Sequence, residues 1–138
     1  MPTESELALV QQCYKDLRPH LEPTSLYFYE ALFARAPHLR ELFREDLKGQ
    51  GMRFMTTLGT ILQDLENPEA GLINYAELGQ LHQALGVRTG DFEPMEEALM
   101  DTLRDKLGDD FTPELKTGWR KAYRAFAARL IEEGHIAS

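Results

Sequence analysis

Cysteine and long apolar runs are two features that this sequence almost lacks. It holds one cysteine in 138 residues, Cys13, so no disulfide can form within the chain. Cys13 lies on the apolar side of a predicted helix, so we expect a small core residue and not a nucleophile. No apolar run reaches membrane-spanning length, and the charged start Thr3-Glu4-Ser5-Glu6 is not typical of a signal peptide. These features indicate a cytoplasmic protein.

Basic residues are in the minority, with 15 lysines and arginines against 23 acidic residues and a formal net charge of −8. An acidic surface repels nucleic-acid phosphates and anionic lipid head groups. The composition therefore argues against nucleic acid and against a membrane surface as partners. The length suits one domain with a sizeable core, so we expect a single domain over residues 1–138.

Several common functional motifs are also missing. The sequence contains no His-Glu-x-x-His and no Cys-x-x-Cys pair for zinc, and no acidic pair stands out as an acid/base couple. The stretch Gly49-Gln50-Gly51 follows no strand and lacks the lysine of a phosphate-binding loop. Three histidines fall near helix ends or in the tail, and we expect them at the surface: His20, His38 and His135.

Helical periodicity is what the sequence does contain, without a convincing alternating strand pattern. The predicted helices cover about 3–19, 24–36, 37–43, a segment around Phe54 that closes at Asn67-Pro68, 70–84, a segment capped by Asp91, and a last one from Thr112. Residues 44–49 are predicted to be a loop. Unequal helices joined by varied connections predict an irregular all-α domain of about seven helices.

The helix starts differ in the strength of their local signals. Thr3 with Glu6 forms a capping box, and Thr112 is an N-cap followed by Pro113 at the first helical position. Asp91 is expected to cap the long helix that follows it.

One histidine lies on an apolar helix face, which makes it the main candidate for chemistry. His82 shares that face with Tyr75, Leu78, Leu81 and Leu85, and Gly86 ends the helix. A histidine in this setting is usually a core residue whose ring nitrogens bind backbone groups. A single protein nitrogen is nevertheless enough for a metal whose other ligands come from a porphyrin. These residues alone leave both interpretations open.

Two further polar residues stand in apolar surroundings. Tyr29 lies in the run Leu26-Tyr27-Phe28-Tyr29, and Gln50 lies one turn before Phe54. A buried tyrosine usually bonds a backbone carbonyl, and a glutamine at a helix start usually faces water. Neither residue is therefore informative alone.

Taken in order, these residues and their neighbours form a pattern that resembles the globin family. The motifs are Phe28-Tyr29-x-x-Leu32-Phe33, Pro37-x-Leu39-x-x-x-Phe43, Gln50 with Phe54, His82, and Trp119-x-Lys121-Ala122-Tyr123. The similarity is to bacterial single-domain globins and to the globin domain of flavohaemoglobins, and it covers roughly residues 5–132. Each motif is weak by itself, but their order and spacing together are specific.

The resemblance implies a globin fold around a pocket for haem b, with His82 as the proximal iron ligand. The residues that it assigns to haem contact are Phe43, Phe54, His82, Val87 and Phe92. Those that it assigns to the distal pocket are Phe28, Tyr29, Gln50 and Phe54. It implies no catalytic residue. Bound oxygen carries partial negative charge, so the Tyr29 hydroxyl would stabilise it, with Gln50 as a second donor.

Three functions are compatible with this resemblance. The first is reversible binding of O2 and of other diatomic gases, NO and CO. The second is an enzyme, a nitric oxide dioxygenase supported by a separate reductase, because the chain carries no reductase domain before its end at Ser138. The third is a haem-free sensor module, against which the set of His82, Phe43 and Tyr29 argues.

The proximal side departs from the flavohaemoglobin pattern. Phe92 stands where that family has a tyrosine, and Gly134 stands where it has a glutamate, with Glu133 beside it. Proximal activation of the peroxidase type is therefore not implied. We expect the His82 ring to bond a backbone carbonyl instead, that of Leu78.

Overall fold

The computed structural model describes residues 2–43, 47–84 and 86–137, without the side chains of residues 42–43 and 47–55. Within these ranges the regular structure is entirely helical. The α-helices are α1 (Glu4–Leu17), α2 (Leu21–Arg35), α3 (Leu47–Glu66), α4 (Tyr75–Ala84), α5 (Phe92–Leu107) and α6 (Pro113–Gly134). Short 3₁₀ helices connect them: Arg18–His20, Pro37–Phe43, Pro68–Ala70, Thr89–Asp91 and Gly108–Asp110. The all-α prediction is confirmed.

The first and last helices begin where their caps predict. The Thr3 hydroxyl accepts a hydrogen bond from the Glu6 N–H at 3.1 Å, and the Glu6 carboxylate accepts one from the Thr3 N–H at 2.8 Å. The Thr112 hydroxyl accepts from the Leu115 N–H at 3.2 Å, and Pro113 is the first residue of α6. Both caps satisfy amide groups that have no partner inside their helices.

The start of α4 was predicted about five residues too early. Residues 68–70 form a 3₁₀ turn that ends at Gly71, whose φ of 63° lies in the left-handed region. Such a residue interrupts an α-helix. The helix begins only at Tyr75, where the Asn74 side chain accepts from the Glu77 N–H at 3.1 Å. Helix α3 begins at Leu47, so the predicted loop is wrong for residues 47–49, while 44–46 lie outside the described residues.

Asp91 does not cap α5 through its side chain, contrary to the prediction. Its own backbone is already helical, with φ −78° and ψ −17°, whereas a capping residue is usually extended. The Asp91 carboxylate instead accepts from the Arg88 N–H at 2.9 Å and lies 3.1 Å from Nε2 of His38.

Helices α3 and α5 pack against α2, and α1 and α4 pack against α6, so that α2 and α6 form the centre of the fold. The inner face predicted for α6 is buried throughout: Trp119, Ala122, Tyr123, Phe126 and Leu130. Cys13 is buried as expected, and burial raises the pKa of its thiol. The other three histidines are exposed as expected: His20, His38 and His135.

Ion pairs also join α5 to α6. Glu96 is only 5% exposed and accepts hydrogen bonds from Arg120 at 2.6 Å and from Arg124 at 2.7 Å. A carboxylate buried to this extent needs such partners. In the described part of the chain, none of the helices has the length and apolar character needed to cross a membrane.

Candidate functional site

The His82 imidazole is half-buried on α4 and is held by a backbone group of its own helix. Its Nδ1 lies 2.8 Å from the carbonyl oxygen of Leu78. A carbonyl can only accept, so Nδ1 carries the ring proton in this contact. This tautomer has its lone pair on Nε2, which is the arrangement that a metal ligand requires. The acceptor predicted for His82 is confirmed.

The apolar face predicted around His82 is correct only in part. Tyr75 is buried and Leu78 is half-buried, but the Leu81 side chain is 57% exposed. Leu81 directly precedes His82, and successive residues of a helix are about 100° apart around its axis, so the two side chains point to different faces. Leu85 lies outside the described residues.

Val87 and Phe92 come after His82 in the chain, and both lie in the core. The Val87 N–H donates to the His82 carbonyl at 3.1 Å, and the Val87 side chain is buried. Phe92 is buried as well, and its carbonyl accepts from the Tyr123 hydroxyl at 2.9 Å. Burial raises the pKa of Tyr123, and the charge of Glu96 adds to the effect, so the phenol stays protonated and keeps donating.

Neither Glu133 nor Gly134, the two residues singled out in the sequence, places a carboxylate on the His82 ring. Gly134 has no side chain, and its backbone packs directly on Gly79 of α4. The Glu133 carboxylate accepts from Nε of Arg129 at 2.6 Å on the surface of α6. The His82 ring therefore donates to the Leu78 carbonyl. This was predicted because Phe92 stands where flavohaemoglobins have a tyrosine.

Tyr29 is fixed by aromatic rings on α2. It is 5% exposed, and its ring meets Phe28 edge-on at 5.4 Å and stacks on Phe33 at 5.7 Å between ring centroids. Contacts of this kind hold a ring in one orientation. Phe28, Tyr29, Val87 and Phe92 belong to one continuous buried cluster, and Leu78 packs against it.

The remaining predicted pocket residues lie partly beyond the description. Gln50 and Phe54 belong to α3, which is helical at both positions, and Phe43 ends a 3₁₀ helix. Their side chains are outside the described residues. Their contacts with haem or with a bound gas stay predictions.

A polar cluster at the start of α4 was missed by the sequence analysis. The hydroxyl of Tyr75 donates to the carboxylate of Asp64 at 2.8 Å, and Asp64 is 2% exposed. The guanidinium carbon of Arg129 lies 4.3 Å from the centre of the Tyr75 ring. The available signal was the placement of Asp64 beside Ile61, Leu62 and Leu65, on the apolar face of its helix.

The donor set fits an iron porphyrin better than a metal held by protein groups alone. Within residues 2–43, 47–84 and 86–137, no group of three or more His, Cys, Asp or Glu side chains could hold a metal ion. His82 offers one nitrogen with a fixed tautomer, which is what a haem iron takes from a proximal histidine. The residues present therefore fit the group that the sequence implies.

Comparison with known proteins gives a consistent result. The family model described as Globin matches residues 26–130. A leghemoglobin of Psophocarpus tetragonolobus is 28% identical over 93% of this chain and 94% of that protein. A protein of Oryza sativa subsp. indica named anaerobic nitrite reductase is 26% identical over 95% of this chain and 94% of its own length.

A flavohemoprotein of Bordetella pertussis is 27% identical over 90% of this chain, which corresponds to 32% of that longer protein. The family match covers most of the chain, and the all-α architecture agrees with it. The chain therefore belongs to the globin family, and membership of this family implies that it binds haem.

Proposed function

We propose that this globin binds haem b through His82 and reversibly binds O2 and other diatomic gases, including NO and CO. The observation that carries the proposal is the hydrogen bond from His82 Nδ1 to the Leu78 carbonyl at 2.8 Å. It fixes the ring tautomer and leaves Nε2 as the ligand atom. The single cysteine, which can form no disulfide within the chain, supports a cytoplasmic site of action.

Each residue has a defined part in this proposal. His82 would hold haem b, which would supply an iron able to take a gas ligand. Val87 and Phe92 would line its proximal side, and Phe43 and Phe54 would contact the porphyrin.

On the distal side, the Tyr29 hydroxyl donates a hydrogen bond to a polarised ligand. Gln50 is a second donor, and Phe28 excludes water from the pocket. A ring held between Phe28 and Phe33 loses little further conformational freedom when it donates.

The test is the visible spectrum of the purified protein. We expect one haem b per chain and a strong Soret band. His82→Ala should lose haem or hold it weakly with a shifted band, whereas His20→Ala, which removes an exposed imidazole, should keep the wild-type spectrum. A colourless wild-type protein, or an unchanged spectrum in His82→Ala, would contradict the proposal.

Enzymatic chemistry of nitrogen oxides is the second candidate, because several relatives, the Oryza sativa protein among them, are named anaerobic nitrite reductase. The form that we consider is a nitric oxide dioxygenase working with a separate reductase. It consumes one electron for each nitric oxide and O2 converted to nitrate. The absence of a side chain at Gly134 and of a hydroxyl at Phe92 weighs for gas binding.

Nitric oxide consumption with a supplied reductase separates the two functions. We expect a single turnover that ends in ferric protein. Sustained consumption over many turnovers would establish the enzyme instead.

A further inference from the structure

Helices α4 and α6 touch through two glycines. A Cβ atom placed on Gly79 would lie 2.5 Å from Cα of Gly134 and 2.8 Å from the carbonyl oxygen of Leu130. A Cβ atom placed on Gly134 would likewise collide with Cα of Gly79. Real Cβ atoms essentially never come closer than 3.0 Å to a heavy atom outside their own residue and its chain neighbours. All three obstacles are backbone atoms, so no side-chain rotation can relieve the collision.

This contact lies in the turn of α4 that carries His82. Gly79 directly follows Leu78, whose carbonyl holds the His82 ring, and it precedes His82 by three residues. Any movement of α4 relative to α6 at Gly79 therefore moves the imidazole together with its hydrogen-bond acceptor.

Two further contacts connect the C-terminal end of α6 to residues on either side of this turn. Before it, the Arg129 guanidinium stacks on the Tyr75 ring at 4.3 Å. After it, the Thr89 N–H donates to the Ala137 carbonyl at 2.9 Å, and the Thr89 hydroxyl donates to the same carbonyl at 3.0 Å. The end of α6 and the residues after it thus contact α4 at Tyr75 and Gly79 and bind Thr89 in the 3₁₀ helix that follows α4.

We propose that the Gly79–Gly134 contact is a positioning device that sets where the His82 imidazole stands relative to the haem. The inference rests on the proposed function. Glycine is needed at both positions because a methyl group on either one requires α4 and α6 to separate. Raising the 2.5 Å approach to an ordinary contact of 3.4 Å takes nearly 1 Å of movement. The His82 ring follows α4, so its bond to the iron becomes strained.

The direct test introduces alanine on each side of the contact in the haem-loaded protein. In the interior of a helix this change ordinarily favours the folded state. Here Gly79→Ala and Gly134→Ala should both shift the iron–histidine stretching frequency of the ferrous protein in the same direction. Both should also accelerate haem loss roughly tenfold or more, in line with the effect of overpacking. The double variant should change less than the sum of the two, because both methyl groups act on one contact.

Two other glycines provide matched controls. Gly118→Ala crowds α6 against α1 instead, with Val10 Cγ2 at 2.9 Å, and should lower stability without moving the stretching frequency. Gly90→Ala meets nothing within 4 Å and should change neither quantity.

The outcomes decide the inference. An unchanged iron–histidine stretching frequency in Gly134→Ala would overturn the inference. This holds even if Gly79→Ala shifts the frequency, because that shift would then be a local effect within α4. If neither glycine variant folds, Thr89→Val decides the question, because it keeps the size of the side chain and removes the hydroxyl contact with the Ala137 carbonyl. A smaller shift in Thr89→Val supports the positioning role, and an unchanged frequency refutes it.

A haem-independent measurement separates this inference from the proposed function. In the haem-free full chain, nuclear Overhauser contacts between residues 79 and 134 report the separation of α4, which carries His82, from α6. Absence of haem binding by wild type would refute the proposed function. Weaker contacts in both glycine variants would support the positioning role even then, and unchanged contacts would overturn it.

Discussion

At the scale of single residues, the hydroxyl of Tyr29 is the group on which oxygen affinity should depend most. Tyr29 lies in the interior of α2, and its ring packs against Phe28 and Phe33. Glutamine at position 50 has more rotamers, so holding its amide in one orientation costs more entropy. Tyrosine is therefore expected to be the stronger donor of the two.

Tyr29→Phe should release oxygen faster by roughly 10- to 150-fold. The range corresponds to the loss of a hydrogen bond to a charged acceptor, about 1.5–3 kcal/mol. The measurement is the oxygen dissociation rate by stopped flow. Carbon monoxide is much less polar when bound, so its dissociation should respond far less, and Gln50→Leu should give a smaller change for oxygen in the same direction.

Tyr27→Phe is the matched control on the same helix. Its ring lies near Nζ of Lys106 at 5.4 Å and is only half-buried, so loss of this hydroxyl should leave oxygen release unchanged. If oxygen leaves the Tyr29→Phe protein no faster than wild type, Tyr29 does not donate to the ligand.

Candidate residues for the site could be singled out from the sequence. His82 and Tyr29 stand out because each is polar within an apolar helical pattern, and the resemblance gives both a role. The Leu78 acceptor could also be predicted, because Phe92 offers the ring no hydroxyl. The Gly79–Gly134 contact could not, because a close approach between helices depends on tertiary packing that leaves no local signal.

At the scale of helices, the Tyr75–Asp64 hydrogen bond attaches the start of α4 to α3. The bond is 2.8 Å long, and the Asp64 side chain is 2% exposed. Tyr75→Phe keeps the ring but leaves the buried carboxylate without this donor. We expect the free energy of unfolding to fall by about 1.5–3 kcal/mol, the value typical of a hydrogen bond to a charged group.

Denaturant unfolding of the haem-loaded protein measures this loss. Tyr27→Phe again serves as control, since it removes a half-buried hydroxyl and should cost much less. Equal stability of the Tyr75→Phe and wild-type proteins would mean that the hydrogen bond only offsets the desolvation of Asp64.

Helix boundaries were predictable where the cap is local. Thr3, Glu6, Thr112 and Pro113 act within a few residues of the helices that they start, so their pattern was sufficient. The start of α4 depends instead on the left-handed conformation of Gly71, and a glycine adopts either sign of φ.

The Asp91 side chain binds other partners instead of the first amide groups of α5. Its carboxylate is taken by the Arg88 N–H and by His38. His38 lies far away in the sequence, so this outcome required knowledge of the fold.

At the scale of the whole molecule, buried phenols make stability depend on pH in the alkaline range. The sequence has five tyrosines. The pKa of Tyr75 is raised by burial and by its hydrogen bond to Asp64, and the pKa of Tyr123 is raised by burial and by the charge of Glu96. Both phenols therefore stay protonated in the folded protein after they would ionise in the unfolded chain, near their ordinary pKa of 10.0.

This difference fixes the sign of the effect. Above pH 10 the unfolded chain binds fewer protons than the folded protein, so a rise in pH favours unfolding. Each of the two phenols contributes a slope of up to about 1.4 kcal/mol per pH unit, and none of this loss is felt below the unfolded pKa. Denaturant unfolding at several values between about pH 9 and about pH 11 measures the slope.

Tyr75→Phe tests the attribution of this slope. The variant is less stable at neutral pH, but it lacks one of the phenols whose pKa is raised in the folded protein, so its stability should fall by up to about 1.4 kcal/mol per pH unit less than that of wild type above pH 10. Parallel curves for wild type and Tyr75→Phe would show that Tyr75 ionises equally well in both states, and that its hydrogen bond to Asp64 does not hold the proton.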